Sequence, residues 1–254
     1  MKVVCIIQAR RGSKRLRNKI LKPLAGKTIL EHVIQRALLI DGVDQVVCAS
    51  VDDEYNLPVL EVAKKTGAAA FAGSEHDVLD RYYSAAVKYN ADAVMRITAD
   101  CPLLDPFVCA EAVAIVRDGK ADYGAASGSW PHGMDCEIFT FDWLEKAHRQ
   151  ATLAEDREHV TLWMKGHADI NRLTVEPSLV GLRYENRWVL DYPEDYEFLI
   201  ALAKIAPEGK LPLRWQEIVA ILDENSGLRE INRHCSNQWE KATQKIIQTV
   251  NEQR

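Results

Sequence analysis

The chain has 254 residues, 47% of them hydrophobic and 27% charged, with a formal net charge of −5. That length supports one large α/β core, and the absence of Pro/Gly/Ser-rich or single-residue tracts excludes a disordered or fibrous protein. No apolar run approaches the ~20 residues of a membrane helix, and the short apolar run after Met1 lacks the length and cleavage site of a signal peptide, so no membrane partner is expected.

Six cysteines (5, 48, 101, 109, 136, 235) are scattered without a C-x-x-C pair. Several sit in apolar segments, where free cysteine acts as a small hydrophobe; the expectation is a reducing cytoplasm, with neither disulfides nor zinc. Charge is unevenly placed. Residues 1–30 hold nine Lys/Arg and no Asp or Glu, so with −5 overall and +9 here, the remainder carries −14. A basic cluster confined to one segment suits a small polyanion; a nucleic acid would want basic residues spread along a face, and none is expected as a partner.

In chain order, "KVVCIIQA" is a continuous apolar run ending in a Gly-containing polar segment, the pattern of a buried parallel strand. "GKTILEHVIQRALLI" predicts a helix, with Thr28 and Glu31 as a capping box and Ile29, Val33, Ala37 and Ile40 along one face. "DQVVCAS" predicts a second strand and "EYNLPVLEVAKKTG" a helix closed by Gly67. "SEHDVLDRYYSAAVKYN" predicts a helix capped at or near Ser74, "ADAVMRITAD" a third buried strand ending on polar residues, and "DPFVCAEAVAIVRDG" a helix from Pro106 to Gly119. This alternation implies a parallel sheet covered on both faces. The second half is less regular: "ADYGAASGSWPHGMDCEIFTF" mixes strand, Gly-rich loop and alternating strand, and "AEDREHVTLWMKGH" predicts a helix. "INRLTVEP" predicts a strand and "NRWVLDYPEDYEFLIALAKIA" a strand followed by a helix with Pro193 at its start. A terminal helix carries Trp239, Ala242, Ile246 and Val250 on one face, suited to docking on the body or on a second subunit.

Several signatures are missing. "GKT" at 26–28 has Leu21 where a Walker A loop needs glycine, no G-x-G-x-x-G follows the first strand, and H-E-x-x-H, G-x-S-x-G and the kinase motifs are absent. The lack of D-x-D counts against a metal-dependent glycosyltransferase. What remains is "QARRGSKRLRNK" after the first strand, where an open α/β sheet binds its ligands. Gly12 permits close backbone approach to a phosphate, Ser13 adds a donor, and Arg10 and Lys19 supply positive charge; a solvated basic loop is the alternative. Asp100 and Asp191 each end an apolar segment ("AVMRIT", "RWVL"), so both can reach the same sheet edge, and Mg²⁺ prefers one or two carboxylates with phosphate oxygens and water. Helix capping by Asp191 and a turn role for Asp100 are the competing readings.

The stretch "IIQARRGSKRLRNKIL", followed by "PLAGKTILEHVIQRA", resembles the N-terminal motif of the cytidylyltransferases that activate acidic sugars, the group of the CMP-sialic acid and CMP-3-deoxy-manno-octulosonate synthetases, with the spore coat polysaccharide biosynthesis protein F branch nearest. "GSEHDVLDRYY", "RITADCPLLDP", "WPHGMDCEIF", "DREHVT" and "WVLDYPEDYEFL" follow in family order over nearly the whole chain. The resemblance implies one Rossmann-like, three-layer α/β/α domain of the nucleotide-diphospho-sugar transferase type over residues 1–254, mostly parallel with an irregular insertion in its second half. Residues 1–118 would form the nucleotide-binding half, and 119–254 the acceptor-binding and dimerisation half with the terminal helix.

It also implies roles. Ala9, Arg10, Gly12, Ser13, Lys14 and Lys19 would hold the triphosphate of CTP, with Arg15 beside them. Asp100 and Asp191 would hold Mg²⁺ and, with Arg10 and Lys19, carry catalysis. Gly73, Ser74 and the acidic-basic pair Asp80 and Arg81 would meet the base; for these, helix capping and a surface ion pair are the alternatives. His132, Asp135, Arg157 and His159 would face an anionic acceptor, either a sugar acid or, as alternatives, a phosphonate or phosphorylated small molecule; a structural role competes for His159. A homodimer built through the irregular middle is implied as well. The chain departs from the family where Arg17-Asn18 replaces Pro-Gly, Ala99 replaces Gly and Tyr192 replaces Thr. These departures keep open a catalytically silent nucleotide-binding or partner-binding domain, though Asn tolerates the left-handed backbone such a turn needs.

Overall fold

The computed structural model describes residues 1–182, 186–206 and 212–236; the expected terminal helix lies outside them. Strand β1 (Val3–Gln8) is buried at every position but its last. Its side chains alternate between two cores, Val3, Cys5 and Ile7 on one face and Val4 and Ile6 on the other. Burial on both faces is why the run is continuously apolar, and it demands a helix layer on each side.

After β1 the chain makes a two-residue-per-strand hairpin, β2 (Pro23–Leu24) with β3 (Lys27–Thr28). Helix α1 (Ile29–Ala37) then starts on the expected capping box: Thr28 Oγ1 accepts from the Glu31 N–H at 3.2 Å, and the Glu31 carboxylate accepts from the Thr28 N–H at 2.6 Å. Strand β4 (Gln45–Val51), helix α2 (Leu57–Lys65), strand β5 (Ala69–Gly73), helix α3 (Val78–Lys88), strand β6 (Ala93–Thr98) and helix α4 (Pro106–Arg117) continue the alternation. The second half adds β7 (Tyr123–Ala126), β8 (Cys136–Thr140), α5 (Phe141–Gln150), α6 (Ala154–His159), α7 (Leu162–Gly166) and β9 (Arg172–Thr174). Helices α8 (Pro193–Ile205), α9 (Trp215–Glu224) and α10 (Gly227–Glu230) close the described chain.

The seven strands of the main sheet lie in the order β5-β4-β1-β6-β8-β7-β9. All neighbours pair in parallel except β8, which is antiparallel to both β6 and β7. The sheet is therefore mostly parallel with helices on both sides, as the alternation required.

Four local readings differ from the sequence. The run "AAFAG" is a fifth strand; it has no β-branched residue, and pairing with β4 supplies what propensity does not. "FDWLEKAHRQ", which the linear reading left without an element, is α5, with Trp143, Leu144 and Ala147 buried. The single helix expected over 154–167 is broken into α6 and α7 at Val160, whose φ of 60° is incompatible with a continuing helix. The strand expected at "NRWVL" is an extended segment with one isolated bridge, His132 to Arg187. It passes its hydrogen bonds to loops: the Trp188 N–H goes to the His132 carbonyl at 2.8 Å and the Leu190 N–H to the Asp100 carbonyl at 2.8 Å.

From β1 the chain moves outward through β4 to β5, then returns to place β6 on the opposite side of β1. That reversal opens a crevice beyond the carboxyl ends of β1 and β6, where the loops at 9–22 and 99–105 part in opposite directions. Gln8 pairs in register with Thr98, so both loops leave the sheet at the same level.

Candidate active site

The loop after β1 is shaped by Arg11 and Asn18. Arg11 donates from its backbone to Asn56 Oδ1 at 2.9 Å, from Nε to Asn18 Oδ1 at 3.2 Å and from Nη1 to the Tyr55 carbonyl at 2.6 Å, and its guanidinium lies 4.2 Å over the Tyr55 ring. The Tyr55 hydroxyl also donates to Asn18 Oδ1, at 3.1 Å. Asn18 has φ 54° and ψ 28°, the left-handed geometry that glycine normally supplies, so the turn survives the Arg17-Asn18 departure. Arg10, Gly12, Lys14 and Arg17 are exposed, and nothing lies within 4 Å of where a Cβ on Gly12 would stand. The loop thus presents charge and open backbone at the crevice mouth. Ser13 is half-buried and ties the loop to itself, its N–H donating to the Arg11 carbonyl at 2.9 Å.

Lys19 turns the other way, into the crevice. Its Nζ lies 2.5 Å from Asp100 Oδ2 and 2.7 Å from Asp191 Oδ1. Arg15 reaches the same Asp191 oxygen at 2.9 Å and rests 5.0 Å over the Tyr192 ring. Residues separated by 81 and 172 positions from Lys19 thereby form one cluster. Burial works against both carboxylates ionising, but the Lys19 ammonium outweighs it and holds the Asp100 and Asp191 carboxyls below the usual range. Burial likewise pulls Lys19 down, and the two aspartates overcome it and raise its pKa. Asp191 makes no side-chain cap on the helix that follows it, whereas Asp100 does stand in the turn after β6, as its competing reading had it, with its carboxylate also on Lys19.

The carboxylate that does cap α8 is Asp195. Fully buried, it accepts from the backbone N–H groups of Asp191 at 2.8 Å and Tyr192 at 2.9 Å, from Arg187 Nε and Nη2 at 2.9 and 3.0 Å, and from Asn232 Nδ2 at 3.0 Å. Sequence reasoning missed Arg187, Asp195 and Asn232. An acidic residue three positions past the cap Tyr192, with Pro193 between, was the available signal for Asp195; Arg187 and Asn232 carried none.

His132 and Asp135 join this region. Arg187 Nη1 approaches His132 Nδ1 at 3.1 Å, and Asp135 accepts from the Gly133 N–H at 3.2 Å. Burial lowers the His132 pKa, with Asp135, Asp100 and Asp191 among the charges that oppose the shift, and burial raises that of Asp135. Gly133 has φ 110°, and a Cβ there would stand 2.5 Å from the Trp188 carbonyl carbon, so only glycine lets the two segments touch.

A second group forms at the ends of β5 and α3. Asp77, rather than Ser74, is the N-cap, accepting from the Asp80 N–H at 2.8 Å; the Ser74 hydroxyl accepts from the Asp77 N–H at 3.0 Å. Arg81 is buried beneath Gly73 and Ser74 and donates to the Ser74 carbonyl at 2.5 Å, while its Nε and Nη2 find no protein partner. Asp80 and Arg81 do not pair with each other: Asp80 meets His148 at 2.9 Å, because adjacent helical residues diverge by about 100°.

Arg157 and His159 are not brought to the Lys19 cluster. Arg157 Nε binds Asp77 at 2.6 Å, and its Nη1 caps the end of α5 through the His148 and Ala151 carbonyls. His159 is half-buried, its pKa lowered by burial, with Arg96 and Lys165 among its charged neighbours. Those two cations flank the buried Glu137, which also accepts from Tyr123 and Thr161. All six cysteines are buried and none is in a disulfide.

The cluster can hold polyanions. Open backbone and exposed cations face the crevice mouth, and two ionised carboxylates line its floor with a cation already between them.

The family described as cytidylyltransferase matches residues 4–220 of the chain. The spore coat polysaccharide biosynthesis protein SpsF of Bacillus subtilis is 30% identical over 88% of this chain and 95% of its own. A 3-deoxy-manno-octulosonate cytidylyltransferase of Geotalea daltonii is 31% identical over 48% of this chain and 47% of its own. Among solved structures, a cytidylyltransferase of Leptospira borgpetersenii superposes with a TM-score of 0.83 at 29% identity, over 90% of this chain and 96% of that one.

Proposed function

We propose that this chain, which belongs to the cytidylyltransferase family, transfers CMP from CTP to a sugar acid or similar anionic acceptor and releases pyrophosphate. One observation carries the reading: Lys19, Asp100 and Asp191 meet at the sheet's reversal point, beneath a loop of exposed cations. In the reaction the acceptor hydroxyl attacks the α-phosphorus in line. Arg10 and Lys19 offset the charge that develops on the leaving pyrophosphate, and the open backbone at Gly12 with the Ser13 hydroxyl and Lys14 orients the phosphates. Ala9, buried, leads the strand into that cradle. Gly73, Ser74, Asp80 and Arg81 frame the base, and the two unpartnered buried N–H groups of Arg81 are donors suited to a base carbonyl. His132 and Asp135 face the acceptor. Arg157 does not meet the acceptor in this reading; through Asp77 it steadies the start of α3 behind the base-binding group, and His159 is left a structural role.

Asp100 and Asp191 fit a divalent cation, because the Lys19 ammonium already stands between them as a stand-in charge and both carboxyls are held ionised. When bound, Mg²⁺ would supply charge neutralisation at the phosphates and a lowered hydroxyl pKa for the nucleophile. No helix among the described residues is long and apolar enough to cross a membrane. A cytoplasmic homodimer contacting through residues 119–254, with residues 1–118 holding the nucleotide, completes the proposal.

Pyrophosphate release from a panel of nucleotides and acidic acceptors tests it. CTP with a sugar acid should be turned over, and Asp191→Ala should abolish that turnover while the far-UV spectrum stays unchanged. Nucleotide binding without release from any acceptor would sink the enzyme reading, and normal activity in Asp191→Ala would sink the metal role.

A further inference from the structure

The Arg187 guanidinium meets the His132 ring across two separate segments of the chain. Arg187 lies in the extended segment before α8 and is 3% exposed. Its Nε and Nη2 are committed to the two oxygens of Asp195 in a bidentate pair, at 2.9 and 3.0 Å, which fixes the plane of the guanidinium. Nη1 is thereby aimed at His132 Nδ1, at 3.1 Å. A guanidinium nitrogen has hydrogens to give and no lone pair to offer, so Nδ1 must be the acceptor. An imidazole that accepts at Nδ1 carries its hydrogen on Nε2.

We propose that Arg187 is a positioning residue that locks His132 as the Nε2–H tautomer, so that the ring presents an N–H donor to an anionic oxygen of the acceptor. The backbone supports the arrangement from both sides. His132 and Arg187 are joined by an isolated backbone bridge, the Trp188 N–H holds the His132 carbonyl at 2.8 Å, and Gly133 lets the segments meet at a distance no side chain would permit. The electrostatic neighbours of His132 include Asp100, Asp135 and Asp191, which places the ring beside the cluster that would hold the phosphates. Asp195 therefore does two things at once: it caps the backbone of Asp191, and it orients the guanidinium that selects the tautomer. The tautomer follows from the geometry of Arg187 and His132 alone. Its use toward the acceptor rests on the activity proposed above.

The test begins with the unmodified protein. Nitrogen-15 NMR of the histidine rings at neutral pH, with the His132 signals assigned by their loss in His132→Gln, should show an unprotonated Nδ1 and a hydrogen on Nε2. Hydrogen on Nδ1, or on both nitrogens, overturns the proposal, and this readout needs no acceptor. In Arg187→Lys, which keeps the charge but cannot serve Asp195 bidentately and His132 together, the rings should become a mixture of tautomers; an unchanged spectrum would overturn the role of Arg187. Kinetics with CTP and 3-deoxy-manno-octulosonate as the probe acceptor complete the test. A glutamine amide can stand in for Nε2–H and an asparagine amide for Nδ1, so His132→Gln should exceed His132→Asn by about tenfold in kcat/KM, through the acceptor KM. Equal kinetics of both variants and the parent would remove His132 from acceptor binding. If the parent fails to turn over that acceptor, the activity reading suffers while the spectrum still decides the tautomer.

Discussion

The backbone N–H of Leu190 donates to the carbonyl of Asp100 over 2.8 Å, and that bond sets Asp191 beside Asp100. The two aspartates come from segments that share no strand pairing. What joins them is a hydrogen bond between loops, reinforced by Lys19 Nζ, which touches both carboxylates.

Lys19 occupies charge that a divalent cation would otherwise neutralise. Lys19→Met should therefore raise the affinity for Mn²⁺ in the absence of nucleotide, by roughly tenfold if about 1.4 kcal/mol of competing attraction is removed, while turnover with CTP falls by ~10²-fold or more. Titration by electron paramagnetic resonance reads the first effect and pyrophosphate release the second. Unchanged Mn²⁺ affinity would show that the ammonium and the metal do not compete.

Asn18 supplies left-handed geometry and also accepts from Arg11 and Tyr55. Asn18→Gly keeps the geometry and loses the acceptor, whereas Asn18→Val loses both. The valine variant should be less stable than the glycine variant by about 1–2 kcal/mol in urea unfolding, and should bind CTP more weakly. Equal behaviour of the two would mean that the turn does not depend on its backbone conformation.

Gly133 combines φ 110° with a 2.5 Å approach to the Trp188 backbone. Gly133→Ala should cost about 3 kcal/mol and separate His132 from Arg187. Chemical denaturation measures the first effect, and the nitrogen-15 signature of His132 measures the second.

Acid should destabilise the fold from near neutrality downward. Burial lowers the His132 and His159 pKa values from 6.5, so the folded chain binds fewer protons at these rings than the unfolded chain. Their contribution is fully present above pH 6.5 and is lost as pH falls from there through the folded values. The lowered carboxyls of Asp100 and Asp191 act in the same sense at lower pH, below 3.8, whereas the raised carboxyl of Asp135 acts in the opposite sense and above 3.8, where the folded chain holds its proton longer than the unfolded chain. Thermal melting should show Tm falling between pH 7 and 5, with His132→Gln flattening that slope; a flat profile in the parent would contradict the burial argument.

Much of this arrangement is legible in the linear chain because its causes are local. The alternation of apolar runs with capped helices predicts the parallel core; the Thr28-Glu31 box and the Pro106 to Gly119 helix stand where caps and breakers put them. The concentration of cations after β1 marks the loop proposed to hold the phosphates, since charge density and a strand end are both visible in sequence. The aspartates at the ends of apolar segments are legible for the same reason.

The partnerships were decided only by the tertiary structure. Nothing local tells Arg187 that Asp195 will hold it flat against His132, or tells Asp80 that its partner is His148 and not the neighbouring Arg81. The strand "AAFAG" exists because β4 offers it an edge, and the extended run at "NRWVL" fails to become a strand because loops take its hydrogen bonds. Periodicity and capping act within a few residues, so composition and spacing can report them. Ion pairs and backbone contacts between segments 55 to 172 positions apart depend on where the sheet reverses, which is a property of topology.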